Sequence, residues 1–169
     1  MELPICSFCA KTGMLCTGCQ RKLAEGKITQ LDVEVSKILS NMVVKYPSLQ
    51  NVKISRAVVV GPLVLLEVRK KDVSDIIGPK REILNAIEQK IGRKTHLIEL
   101  AKSERKIIES LFLPVEVLGV NKIFVPDGSE EFKVRVRQAD VEGLPMSEKA
   151  LQEAAYALLG RHIRISWEE

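Results

Sequence analysis

All four cysteines of this 169-residue chain lie in its first 27 residues, as Cys6-Ser7-Phe8-Cys9 and Cys16-Thr17-Gly18-Cys19. Two residues between the members of a pair let both thiolates turn toward one cation, and two pairs complete a tetrahedral four-sulfur set. That donor set suits a single structural Zn²⁺. Four thiolates leave no position open for water, so such a centre folds its segment and performs no catalysis. Other readings of the four residues are two disulfides, a redox CxxC opening a helix beside a strand, and an iron–sulfur cluster, whose cysteines are usually spaced differently. Met1-Glu2-Leu3-Pro4 lacks the basic and apolar regions of a signal peptide, and no run of about 18 apolar residues occurs. A soluble, cytoplasmic protein with no membrane partner is expected.

A second group with binding chemistry is Ile76-Ile77-Gly78-Pro79-Lys80-Arg81. A glycine lets a phosphate approach the main chain, the helix that follows offers N–H groups and a partial positive charge, and Lys80 and Arg81 add full charges. The bland reading of the same residues is an exposed helix start. Arg69, Lys70 and Lys71 form a second basic cluster just upstream, and Arg93 and Lys94 a weaker one. Charge supports this placement: residues 1–27 carry a net +2, residues 28–100 a net +4 and residues 101–169 a net −2. The positive field therefore sits in the first two segments, where it favours polyanions. His96 and His162 fall in strand patterns without a partner carboxylate pair or nucleophile, so no enzyme is expected. The seven aromatic residues give no stacking platform for single-stranded nucleic acid.

The elements that must hold these groups can be read from periodicity. Thr29 is placed to cap a helix whose Leu31, Val35, Ile38, Leu39 and Met42 share one face, ending near Tyr46-Pro47. Residues 52–60 and 63–69 are β-rich runs split by Gly61-Pro62, a hairpin pattern. A short helix over 72–77, a longer one over 81–91 stopped by Gly92, and a strand over 93–100 follow. The second half reads the same way: a helix capped by Ser103, strands over 115–125 and 132–138 around Pro126-Asp127-Gly128, a short segment at Asp140, a helix capped by Ser147, Gly160, and a strand over 162–167. The order is α-β-β-α-α-β twice.

A constant offset of 68 pairs the halves residue by residue: Val68 with Val136, Arg69 with Arg137, Asp72 with Asp140, Gly92 with Gly160 and Arg93 with Arg161. An internal repeat constrains the fold more than any single motif does.

On this repeat, and on the Gly78-Pro79-Lys80-Arg81 stretch, the chain resembles tandem K-homology (KH) domains of the second type as found in NusA-type transcription factors of the archaeal kind, with an added N-terminal zinc module. The resemblance implies an α+β chain with a four-cysteine zinc module at 1–27, a first type II KH domain at 28–100 and a second, degenerate one at 101–169. It also implies single-stranded RNA as partner, with Ile77, Gly78, Pro79, Lys80 and Arg81 in the place of the family's GxxG loop and Arg69, Lys70 and Lys71 beside it. RNA polymerase or RNA-processing proteins would be further partners, and transcription elongation or termination the process. A protein-interaction adaptor with little RNA binding of its own is the other function that fits. The chain departs from the family pattern where Arg81 replaces the second glycine. At the offset position the second loop, Met146-Ser147-Glu148-Lys149, has no glycine and carries a carboxylate, so little backbone gripping is expected there.

Overall fold

In the computed structural model, which describes residues 1–169, the chain divides into two units, Met1–Leu100 and Ala101–Glu169. The first contains α1 (Ser7–Thr12), α2 (Thr17–Ala24), α3 (Gln30–Met42), β1 (Ile54–Val60), β2 (Leu63–Val68), α4 (Val73–Ile77), α5 (Glu82–Ile91) and β3 (Lys94–Glu99). The second contains α6 (Glu104–Phe112), β4 (Gly119–Phe124), β5 (Glu130–Arg137), α7 (Glu148–Leu159) and β6 (Ile163–Glu168). The chain is thus α+β with two three-stranded sheets.

Helix α3 starts where the sequence places it because Thr29 and Asp32 form a reciprocal capping box, with Thr29 N–H donating to Asp32 Oδ2 at 2.8 Å and Asp32 N–H to Thr29 Oγ1 at 3.2 Å. The other oxygen of Asp32 accepts the N–H of Ala57 in β1 at 2.7 Å, so one buried carboxylate both starts the helix and ties it to the sheet. The apolar face of α3 supplies Val35, Leu39 and Met42 to a core completed by β1, β2, α4 and α5.

Each sheet has the order first strand, second strand, third strand, with the first pair antiparallel and the second pair parallel. The parallel registers repeat at the sequence offset: Val64 pairs Thr95 in one sheet and Phe132 pairs Ile163 in the other. Gly92 and Gly160 end α5 and α7 in the same left-handed conformation, each donating its N–H back into the helix at 2.8 Å. Arg69 pairs with Asp72, and Arg137 with Asp140, at the same three-residue spacing.

The second unit departs from the expected order in one element. Residues 138–143, around Asp140, form a 3₁₀ turn and not an α-helix. Leu144 precedes Pro145, and its ψ of 138° shows the extended backbone that a following proline favours. Two smaller expectations also fail. Ser103 makes no side-chain cap to α6, and β4 begins only at Gly119, with the Val115 N–H turned back to Phe112 O at 2.8 Å.

Residues 1–27, expected as a module of their own, lie within the first unit. Glu2 bridges Lys53, and Ile5, Cys9, Ala10 and Cys19 pack against Ile28 and Val33.

Candidate functional site

Each cysteine pair opens a short helix: Cys6 and Cys16 are the N-cap residues of α1 and α2, and Cys9 and Cys19 fall one turn in, at the third helical position. A helix start turns free N–H groups toward its cap, so it also turns them toward sulfur. Cys16 N–H donates to Cys9 Sγ at 3.0 Å, and Cys6 N–H and Cys19 N–H reach Cys19 Sγ and Cys16 Sγ, both at 3.5 Å. All four sulfurs lie within 4.8 Å of one another, with Cys6 Sγ at 3.3 Å from Cys9 Sγ and 4.0 Å from Cys16 Sγ. Metal–sulfur bonds of about 2.3 Å in a tetrahedron require sulfurs about 3.8 Å apart, so the set fits a single ion. All four thiols are free, and the sulfurs are too far apart for a disulfide bond of about 2.05 Å.

The thiols do not share one acidity. The Cys19 N–H and then the neighbouring thiols bring Cys16 down to about 6. The Cys16 N–H works to lower Cys9, but burial and the surrounding thiols outweigh it and push Cys9 up to about 12. Four sulfurs this close cannot all ionise without a cation among them, which is the electrostatic reason the cluster suits a metal.

The second group sits between α4 and α5. Ile76, Ile83 and Ile87 are buried in the core of the first unit, each worth about 1.5–3 kcal/mol, so the connection between the two helices is held at both ends. Gly78 adopts φ 71° and ψ 175°, a conformation essentially restricted to glycine. A Cβ there would lie 2.6 Å from Ile83 Cγ1, so the space is closed as well as the conformation. Pro79–Arg81 then form a 3₁₀ turn in which Lys80 and Arg81 take φ values of 51° and 63°. Lys80 is exposed and makes no ion pair, whereas Ile77 is half-buried against the core.

Of the basic residues expected at a nucleic-acid surface, Arg69 and Arg81 are engaged within the protein, as are the weaker candidates Arg93, which donates to Gly61 O at 2.9 Å, and Lys94, whose Nζ is 3.7 Å from Glu88. Arg69 donates from Nε to Asp72 Oδ2 at 2.6 Å and from Nη2 to Asn51 O at 2.7 Å. Arg81 donates from Nη1 to Asn85 Oδ1 at 2.7 Å, and its guanidinium spans both oxygens of Glu88 at 3.0 and 3.2 Å. Lys70, Lys71 and Lys80 remain exposed with no carboxylate bonded to them. At the corresponding place in the second unit, Ser147 caps α7 by accepting the Ala150 N–H at 3.1 Å, and no residue of 146–149 has a positive φ.

No protein-family profile matches the chain, and no curated protein matches it in sequence. Among solved structures, the crystal structure of APE1850 is similar to it with a TM-score of 0.57 and 16% identity, over 76% of this chain and 96% of that one. The likeness is one of fold. No helix is long and apolar enough to cross a membrane.

Two carboxylates of this region escaped the sequence reading. Glu88 is buried and accepts the Thr95 N–H at 3.0 Å, and Asp72 is buried and accepts the Lys53 N–H at 2.9 Å. The Arg69–Asp72 pair had a usable signal, because the repeat carries it to Arg137–Asp140; Glu88 had only its position seven residues, or two helical turns, beyond Arg81. Burial works to raise both carboxyls, but for each a hydrogen-bonded arginine and a backbone N–H outweigh it and hold the group below the usual carboxylate range.

The sign of the pH effect follows. Stabilisation from these pairs is complete above the ordinary unfolded values of about 3.9 for Asp and 4.3 for Glu, and is lost as pH falls through the lowered folded values. Urea unfolding of the chain is thus expected at a lower midpoint at pH 3 than at pH 7. The acid-dependent part of that difference should shrink in Asp72→Asn.

Proposed function

We propose that this chain is a non-enzymatic, single-stranded RNA-binding protein, NusA-like in acting on transcription elongation or termination in the cytoplasm, with a zinc-holding segment followed by two type II KH units. The observation that carries the reading is the loop at 78–81. It joins two core-anchored helices, needs glycine at its first position, and presents an unpaired Lys80 at the start of α5. Supporting it are the element order α-β-β-α-α-β of residues 30–99 and the matching strand order and register of the second unit. Phosphates would meet Gly78, Pro79, Lys80 and the α5 N-terminus, with Lys70 and Lys71 extending the basic surface and Ile77 lining its apolar side. The ion at Cys6, Cys9, Cys16 and Cys19 is read as zinc from the donor chemistry, since four thiolates in a closed tetrahedron leave nothing for substrate.

Titration of short single-stranded RNAs at several salt concentrations tests the proposal. The logarithm of the binding constant is expected to fall with that of salt by about 0.7 per phosphate contacted, and Lys80→Asp to weaken binding at least tenfold. Equal, salt-insensitive binding by both proteins would sink it. The adaptor reading, with docking to polymerase or to processing proteins, is favoured by one observation. Phe8 and Met14 stand 62% and 73% exposed beside the cysteine cluster.

A further inference from the structure

The loop at 78–81 contains a conformational problem that its sequence does not solve in the usual way. Lys80 and Arg81 both adopt left-handed backbone, and no other non-glycine residue in the chain has a positive φ. Side-chain-bearing residues resist this conformation, and glycine is its ordinary occupant. Two consecutive occurrences persist only where the surroundings over-determine them.

The surroundings here are the contacts of the Arg81 side chain itself. Its guanidinium reaches forward along α5 to Asn85 Oδ1 at 2.7 Å and grips both oxygens of Glu88 at 3.0 and 3.2 Å. The same carboxylate takes the Thr95 N–H of β3 at 3.0 Å and has Lys94 Nζ at 3.7 Å. The loop is thereby pinned through one buried carboxylate to a helix and to a strand. A guanidinium already spanning a carboxylate offers little charge to a phosphate. Leaving it would strip Glu88 of its closest cation in a buried site, a costly exchange.

The second unit supplies an internal comparison. At the offset of 68, Arg81 becomes Lys149, Glu88 becomes Tyr156 and Lys94 becomes His162. The ion pair is gone, Tyr156 stacks on His162 with ring centroids 4.8 Å apart, and the backbone at 146–149 has no left-handed residue. Latch and left-handed loop occur together in one unit and are absent together from the other.

We infer that Arg81 is a positioning residue and not a phosphate contact: with Glu88 it replaces a second loop glycine, holding the left-handed turn so that Lys80 and the start of α5 face the bound backbone. This rests on the RNA-binding reading for what the turn presents, but not for the latch itself.

The experiment has two readouts, made on the full chain with its metal bound. In titrations of a mixed-sequence ten-nucleotide RNA, Lys80→Ala is expected to lower the salt slope by about 0.7, the loss of one phosphate contact. Arg81→Ala is expected to keep the slope while weakening binding roughly tenfold, because the shape of the turn is lost. The double variant Arg81→Gly, Glu88→Gln, which leaves no orphaned carboxylate and restores a glycine, is expected to bind within about threefold of wild type. A slope reduced by about 0.7 in the double variant overturns the inference, since Arg81 would then be a contact. Amide hydrogen exchange of residues 78–84 is independent of RNA: faster exchange in Arg81→Ala, restored in the double variant, supports the latch, and unchanged exchange in Arg81→Ala overturns it. If wild-type protein binds no RNA, the RNA-binding reading falls and the exchange comparison still decides the latch.

Discussion

Stripping any ion held by the cysteine cluster is expected to unfold residues 1–27 and to lower the unfolding temperature of the first unit. The segment's own apolar core is small. Helices α1 and α2 are 6 and 8 residues long, well under the roughly 12–15 at which an isolated helix becomes even marginal in water. Of the six residues buried together there, Cys9 and Cys19 belong to the candidate metal site, leaving Ile5, Ala10, Ile28 and Val33 as the buried apolar core, with Leu3, Leu15 and Leu23 partly buried against it. A structural zinc ion contributes about 10–16 kcal/mol to such modules, far more than that core can. The loss should spread, because Val33 belongs to α3 and Glu2 bridges Lys53 beside β1. Chelator-treated protein, or Cys9→Ser, should show less than one ion per chain by metal analysis, reduced helical signal by circular dichroism and an earlier first transition on heating. Unchanged spectra and melting in demonstrably metal-free protein would show that the cluster is not structural.

Gly78→Ala is expected to be the most damaging single change in the loop, at about 2–4 kcal/mol, although it adds one methyl group. Two costs combine. Backbone at φ 71° and ψ 175° is disallowed to a residue with a Cβ, and that Cβ would meet three atoms of Ile83 at 2.6 to 3.1 Å. Ile83 is a poor neighbour to displace, because it is β-branched, buried and packed into the core. The loop must therefore change shape or the first turn of α5 must move. Chemical unfolding gives the stability loss; an alanine variant within about 0.5 kcal/mol of wild type would mean that the turn has another conformation in solution. By contrast, Gly61→Ala meets no atom within 4 Å and carries only the strain of its φ of 55°.

Much of this architecture could be read from the chain because it is written in spacing. The 3.6-residue pattern of Leu31, Val35, Ile38 and Met42 and the β-rich runs around Gly61-Pro62 depend on neighbours in sequence, and the capping box of Thr29 and Asp32 is local too. The offset of 68 also carried real information, since the parallel registers and the helix-ending glycines obey it. The failures have a common cause in partners distant in sequence or in backbone geometry. Arg69 and Arg81 read as free cations because Asn51 and the buried state of Asp72 and Glu88 were invisible. The segment at Asp140 read as a match to α4 because its competitor was Pro145, whose effect falls on the residue before it. The four cysteines were legible as a set, while the N–H groups aimed at the sulfurs depend on backbone geometry that residue spacing does not carry.

The carboxylate of Asp32 has a consequence for how this protein behaves among copies of itself. β1 is an edge strand, and edge strands expose a row of donors and acceptors that can template pairing with another chain. Here part of that row is spent internally: Asp32 takes the Ala57 N–H, while Glu2 accepts the Ile54 N–H and donates to the carbonyl of Val52, just before the strand, both at 2.9 Å. A register shift between Ile54 and Arg56 further breaks the regular ladder that an incoming strand would need. The same residue that starts the first long helix thus blunts the β1 edge at Ala57 against pairing with another chain.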